Sequence, residues 1–196
     1  MIKLKSLIME FADLPPPAIK FDIPAKSDSQ SSKHYSASSF DFSKKSDSKN
    51  SQDPSFEEYF QHLKDYEGYR KNPYKDSVHK FVTVGIGHKF EKGERVKSEY
   101  SDAEIRNFFK SDLDDAIRIA KSNFNNFDSL PKGVKIYLVS LAFNLGKGGI
   151  RKFVDFKGAI QKKDFKTAAK ELKDSIWYKQ VGRRAKDYVN FFNSVV

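Results

Sequence analysis

Between Ser27 and Ser51, eleven of twenty-five residues are serine, mixed with lysine and aspartate. Such a stretch cannot bury enough apolar surface to offset the entropy of ordering it. It limits where a core can form. Residues 27–54 are expected to be a flexible linker, and the folded domain must be built from residues 55–196. Upstream, residues 1–26 are apolar and proline-containing, with Ile2, Leu4, Leu7, Ile8, Phe11, Leu14, Ile19, Phe21 and Ile23. Pro15–Pro17 favour an extended, polyproline-type backbone. Two readings stay open for this arm: a docking segment that orders on a partner, or a stretch that folds back on its own domain.

The domain is basic. The formal net charge is +10, and residues 1–55 hold 8 Lys and 7 acidic side chains, so nearly all the excess lies downstream. Basic domains are drawn to polyanions; nucleic acid, acidic membranes and the bacterial cell wall all qualify on charge. Aromatic residues fall at helical core spacing rather than as a stacking platform, so nucleic acid is not the expected partner. No apolar run approaches the roughly 20 residues that cross a bilayer, so no membrane span is expected. The start, "MIKLKSLIMEF", is interrupted by Glu10 too early for a standard secretory core. With no Cys, disulfides, thiolate metal sites and a cysteine nucleophile are excluded. His34, His62, His79 and His88 show no ligand spacing, which argues against a zinc amidase. Neither a metal nor another cofactor is expected.

Hydrophobic spacing gives the elements. "PSFEEYFQHLKDYEG" places Phe56, Tyr59, Phe60 and Leu63 on one helical face, with Gly68 as the stop. "KFVTVGIGHKF" is β-branched and aromatic, with glycines that suggest a tight hairpin or bulge. "YSDAEIRNFFKSDLDDAIRIAKS" opens with a capping box, Ser101 and Glu104. Ile105, Phe108, Phe109, Leu113, Ala116, Ile117 and Ala120 then form one stripe along a long helix. "KGVKIYLVSLAFNLG" reads as a buried helix stopping at Gly146. Residues 153–180 read as two helices broken near Lys163–Asp164, and "GRRAKDYVNFFNSV" as a last helix. The class is α+β and predominantly helical.

"LKDYEGYRKNPYKDSVHKFVTVGIGH" resembles the active-site segment of phage-type lysozymes, the T-even and lambdoid group of glycoside hydrolase family 24. Glu67 stands before Gly68, followed by Tyr74-Lys75-Asp76 and by Thr83-Val84-Gly85-Ile86-Gly87-His88. Two further blocks, "LAFNLGKGGI" and "SIWYKQVGRRAKDYV", fall at family-like spacing, so the resemblance covers residues 56–196 and none of 1–55. It implies a lysozyme-like two-lobe fold: a small β-hairpin lobe with the catalytic residues (55–112), a long connecting helix and an all-helical lobe (113–196). It also implies a lysozyme that cuts the β-1,4 bond between N-acetylmuramic acid and N-acetylglucosamine in peptidoglycan, with inversion.

The chemistry suits these residue types. Glycoside cleavage needs an acid to protonate a poor leaving group and, for inversion, a carboxylate that holds an attacking water on the opposite face of the sugar. The resemblance implies Glu67 as the acid, Asp76 as the base and Thr83 as a residue that positions the water. It implies that Arg184 pairs with the glutamate, with adjacent Arg183 as the alternative, and that Phe143 and Asn144 line the cleft. A cation beside an acid orients it and also favours its ionised form, so burial must compensate. Gly85 and Gly87 read as turn or close-approach glycines, and His88 as a structural residue that holds a loop or pairs with a carboxylate. The spacing from Asp76 to Thr83 is seven positions where the family has six. The extra residue is either absorbed in the hairpin turn or flips Thr83 to the other face.

Three roles fit the whole chain. One is a virion-borne wall hydrolase, made in the host cytoplasm and tethered to phage tail or capsid proteins through residues 1–26. A second is a free endolysin. The third is an assembly module that uses the fold as a scaffold.

Overall fold

The computed structural model describes residues 52–75 and 81–195. The arm expected at 1–26, all of the expected linker except residues 52–54, and Asp76 lie outside the described residues.

Helix α1, Phe56–Glu67, starts where the sequence provides a capping box: the Glu58 N–H donates to Ser55 Oγ at 3.3 Å, and the Ser55 N–H donates to Glu58 Oε2 at 2.7 Å. Tyr59, Phe60 and Leu63 are its buried face. The helix ends at Gly68, whose φ of +76° lets the chain turn sharply into the sheet. Glu67 is therefore the last helical residue, held at the point where helix gives way to strand.

Strands β1 (Arg70–Lys75), β2 (Val82–Gly85) and β3 (His88–Lys89) form an antiparallel sheet in that order. Arg70 pairs with Gly85 and Tyr74 with Thr83, so four steps along β1 match two along β2. Pro73 lies within this bulged segment, where its missing N–H is tolerated. The surplus is two residues, an even number, so side chains keep their faces beyond it. Pairing then stays in register through Lys75 and Val82.

Helix α2, Asp102–Asn123, opens with a second capping box, Ser101 and Glu104. Its stripe serves two cores. Ile105 packs with Val84, Phe90 and Tyr100 under the sheet; Phe109, Leu113, Ala116 and Ala120 belong to the larger core of the helical body. One amphipathic helix thus ties the sheet to the helices, and the fold is the expected predominantly helical α+β arrangement.

Helix α3, Lys132–Ile150, runs through the centre of that body with Val134, Ile136, Leu138, Val139, Leu141 and Ala142 buried. The expected stop at Gly146 is a break in geometry (φ +62°, ψ −178°), after which helical bonding resumes to Ile150. Three helices, not two, occupy residues 153–180: α4 (Val154–Gln161), α5 (Phe165–Asp174) and α6 (Ile176–Val181). The first break is where the sequence places it, with Lys163 at φ +57° and Asp164 Oδ1 capping the Thr167 N–H at 3.0 Å. The second falls at Ser175. Its N–H closes α5 on the Leu172 carbonyl and its hydroxyl accepts from the Tyr178 N–H at 3.1 Å, so one residue ends a helix and starts the next. Helix α7, Arg183–Ser194, closes the body with Tyr188 and Phe192 fully buried. No described helix is long and apolar enough to cross a membrane.

The body also holds a buried cation. Lys135 is 1% exposed, and its ammonium reaches Asp53 Oδ1 at 2.6 Å and the Gln52 carbonyl at 3.4 Å. The chain therefore engages the helical body before residue 55.

Candidate active site

Four segments converge at Glu67. The end of α1 supplies the carboxylate. The first turn of α7 supplies Arg184, whose Nη2 donates to Glu67 Oε1 at 2.8 Å. Both side chains are nearly enclosed, at 15% exposure for Glu67 and 8% for Arg184. An Arg–carboxylate pair with so little solvent is held in one geometry. The Tyr66 ring lies under the guanidinium, 4.9 Å from its carbon, so consecutive residues of α1 grip the same cation by charge and by π-face. Arg183, the other arginine considered, is exposed and faces Asp187 instead, with Nε 3.6 Å from Oδ2.

The β2–β3 turn forms the third side. Gly87, at φ +81°, sits so that a Cβ there would lie 3.9 Å from Glu67 Oε2 and 3.8 Å from Phe143 Cε1. A side chain would take up the space in front of the carboxylate and also force an unfavourable backbone. Phe143, on α3, is the fourth side; it is half-buried and leans on Phe109. Asn144 follows it, but its Oδ1 accepts from Trp177 Nε1 at 3.0 Å. That bond joins α3 to α6 and leaves the amide N–H groups as what Asn144 has to offer a ligand.

Thr83 is 4% exposed in the central strand, paired with Tyr74 on one side and Lys89 on the other. Its neighbour Val84 packs toward α2 with Ile105, and His88, which pairs with Val84, stacks on Phe108 of α2 at 4.4 Å. Alternation therefore puts Thr83 on the face turned away from α2. Asp76, the second carboxylate of the sequence reading, lies outside the described residues. His88 Nδ1 is 2.9 Å from Asp112 Oδ2, which fastens β3 to α2. Among the described residues no group of three or more His, Asp or Glu side chains could hold a metal. An open depression of about 540 Å³ lies along β1 between Tyr69, Lys71, Pro73 and Glu99; it does not include Glu67 or its partners.

Sequence reasoning missed the layer behind the pair. Tyr66 donates to Asp187 Oδ2 at 3.4 Å, and its hydroxyl is pushed well above the ordinary tyrosine range, chiefly by burial. His62, one turn earlier on α1, lies against the Tyr66 and Tyr137 rings with Nε2 buried and unpartnered. Burial, helped by the charge of Arg184, holds the His62 pKa down to about 4. The available signal was the i, i+4 spacing of His62 and Tyr66, which points both at whatever Tyr66 faces.

Comparison with known proteins gives this geometry a setting. The phage lysozyme family model matches residues 64–190. Two Dictyostelium discoideum proteins are similar. Probable T4-type lysozyme 2 is 28% identical over 130 residues, covering 63% of this chain and 75% of that protein. Probable T4-type lysozyme 1 is 26% identical over 150 residues, covering 63% and 86%. The family match starts ahead of Glu67 and runs into α7 beyond Arg184, taking in every side chain that meets at the glutamate, and the chain belongs to the phage lysozyme family.

Proposed function

We propose that this lysozyme cleaves the β-1,4 bond between N-acetylmuramic acid and N-acetylglucosamine, with inversion at the anomeric carbon. Family membership makes the chain a lysozyme-type peptidoglycan hydrolase; the bond, the stereochemistry and the residue roles are what we infer. The observation that carries the reading is the enclosed Glu67–Arg184 pair, set between the Gly87 turn and Phe143.

Glu67 donates a proton to the leaving glycosidic oxygen as the bond lengthens toward an oxocarbenium-like transition state. Arg184 fixes the carboxyl's orientation. A sugar chain entering the site excludes water from around the pair. Asp76 takes the proton of a water on the far side of the ring, and Thr83 helps to orient that water. An inverting pair of carboxyls stands about 6.5–9.5 Å apart, leaving room for the water. Asn144 contributes an amide N–H to the sugar.

The Glu67→Gln and Asp76→Asn variants are each expected to slow clearing of a purified cell-wall suspension by roughly 10²–10⁴-fold at neutral pH. NMR of the first product anomers reads the stereochemistry. Clearing by Glu67→Gln at the wild-type rate would remove Glu67 from the acid role, and retained configuration would remove the inverting assignment.

The apolar arm at residues 1–26, followed by a serine-rich spacer, favours attachment of the enzyme to a phage particle over a free endolysin or an inactive assembly module. Mass spectrometry of purified particles tests this. Absence of the chain from the particles contradicts the attachment.

A further inference from the structure

Positive charge is segregated within the enzyme. Residues 52–146 hold 15 basic and 15 acidic side chains, while residues 147–196 hold 13 basic and 5 acidic. The whole excess of the folded part lies in its last fifty residues. In the balanced part cations meet carboxylates, as in Lys71–Asp102, Arg106–Glu57, Lys110–Asp114 and Lys132–Glu58. At the end of α4 and along α5 they do not. Lys162, Lys166, Lys170 and Lys173 are exposed, and none forms an ion pair among the described residues.

The helix arranges these lysines. On α5 the buried face is Phe165, Ala168, Ala169 and Leu172, which seats the helix on the core beside α7. Lys166, Lys170 and Lys173 fall on one flank, about 120° around the helix from the middle of that buried face, within an arc of about 60° and over about 10 Å of helix axis, with Glu171 and Asp174 on the flank beyond. Lys162 precedes them at the end of α4. Lys163 does not join the row, because its ammonium turns back to the Ser129 carbonyl at 3.2 Å. Lys166 and Lys170 are like charges at i, i+4, which destabilises a helix; of the row on α5, Lys173 stands in the last turn, where it suits the helix dipole. A partner with repeated negative charges relieves that repulsion.

We propose that the lysine face of α4 and α5 is a second contact surface for peptidoglycan, which takes carboxylates of its peptide stems outside the site around Glu67. The proposal rests on the reading of the enzyme as a peptidoglycan hydrolase. That substrate carries carboxylates at repeated intervals along a fixed network, so charge complementarity is available at every point where the enzyme lands. The face has no aromatic side chain between its lysines on which nucleic acid bases could stack. Holding the enzyme on the wall keeps it near uncut strands after each cleavage, in the manner of two linked binding sites.

The test compares two full-length variants of equal net charge. One carries Lys162→Gln, Lys166→Gln, Lys170→Gln and Lys173→Gln; the other carries Lys92→Gln, Arg95→Gln, Lys110→Gln and Arg118→Gln. Co-sedimentation with purified sacculi at physiological salt is expected to weaken at least about fourfold for the first, the low end for losing four exposed ion pairs, and to hold for the second. Sacculi whose carboxyls are blocked as uncharged amides should bind both variants and the wild type equally weakly. Sacculi stripped of phosphate polymers should bind the wild type as before. Equal loss by both variants would mean that net charge alone acts, and loss on phosphate stripping would mean a different polyanion; either overturns the proposal. Turnover of a soluble, peptide-free glycan fragment should match wild type in both variants. Absent turnover with binding intact strikes the hydrolase reading and leaves this surface standing.

Discussion

Gly85→Ala would press a methyl group against a neighbour that has no room to move. Gly85 ends β2 at φ +66°, and an added Cβ would lie 2.7 Å from Ile105 Cγ2, with Ile105 Cβ and Cγ1 each at 3.6 Å. Ile105 cannot swing aside. It is 1% exposed, and a β-branched residue in a helix has one strongly preferred rotamer. Two costs therefore add. A left-handed backbone costs alanine about 1–2 kcal/mol. Overpacking against a fixed methyl costs about 1–3 kcal/mol more. The sum, roughly 2–5 kcal/mol, is a large share of the 5–15 kcal/mol that holds a typical domain. For a domain of this size it lowers the melting temperature by roughly 4–20 °C. Urea and thermal melts followed by circular dichroism measure it, with Gly93→Ala as the comparison. Gly93 also has a positive φ, +97°, but nothing lies within 4 Å of its Cβ position, so only the backbone cost of about 1–2 kcal/mol applies. Ile105→Ala on its own should cost about 2–5 kcal/mol through the cavity it leaves. Combined with Gly85→Ala, it should give back about 1–3 kcal/mol of the summed losses, because the new methyl enters that space. A Gly85→Ala cost no greater than that of Gly93→Ala, or strict additivity with Ile105→Ala, refutes the close-approach argument.

Two further outcomes follow from buried ionisable groups. His62 has a folded pKa of about 4, below the ordinary histidine value of 6.5, so the unfolded chain takes up the proton first as pH falls. Its contribution is thus intact above about pH 6.5, declines through the window down to about pH 4, and amounts to about 3 kcal/mol in all. His62→Leu should flatten the acid limb of melting temperature against pH over that window; an unchanged limb contradicts the assignment. Lys135→Met should leave stability unchanged or raise it by up to about 4 kcal/mol, since a buried ammonium is replaced by an apolar chain of similar shape. Asp53→Asn should lower stability, because it removes the carboxylate that answers that ammonium. A shift of the two urea midpoints in the same direction counts against the pair.

The residue order alone determined the elements whose signals are local. The capping box at Ser101 and Glu104, the stripe along α2, the glycine at the end of α1 and the break at Lys163–Asp164 depend on residues close together in the chain, and such signals can be read from the order of residues. The motif around Glu67 was legible for the same reason, since the family pattern is contiguous there. Ser175 escaped because one residue serves both helices, leaving no gap in the hydrophobic spacing. Only the tertiary structure decided between Arg183 and Arg184. The two are adjacent in sequence, but α7 directs one to solvent and Asp187 and the other, under Tyr66, to a glutamate 117 positions away. The same holds for Asn144, whose carbonyl is taken by Trp177, and for the deeply buried Lys135, whose charge would have argued for the surface. Each of these outcomes depends on which side chain arrives from a distant segment, and that is fixed by how α1, α3, α6 and α7 pack together rather than by the spacing within any one of them.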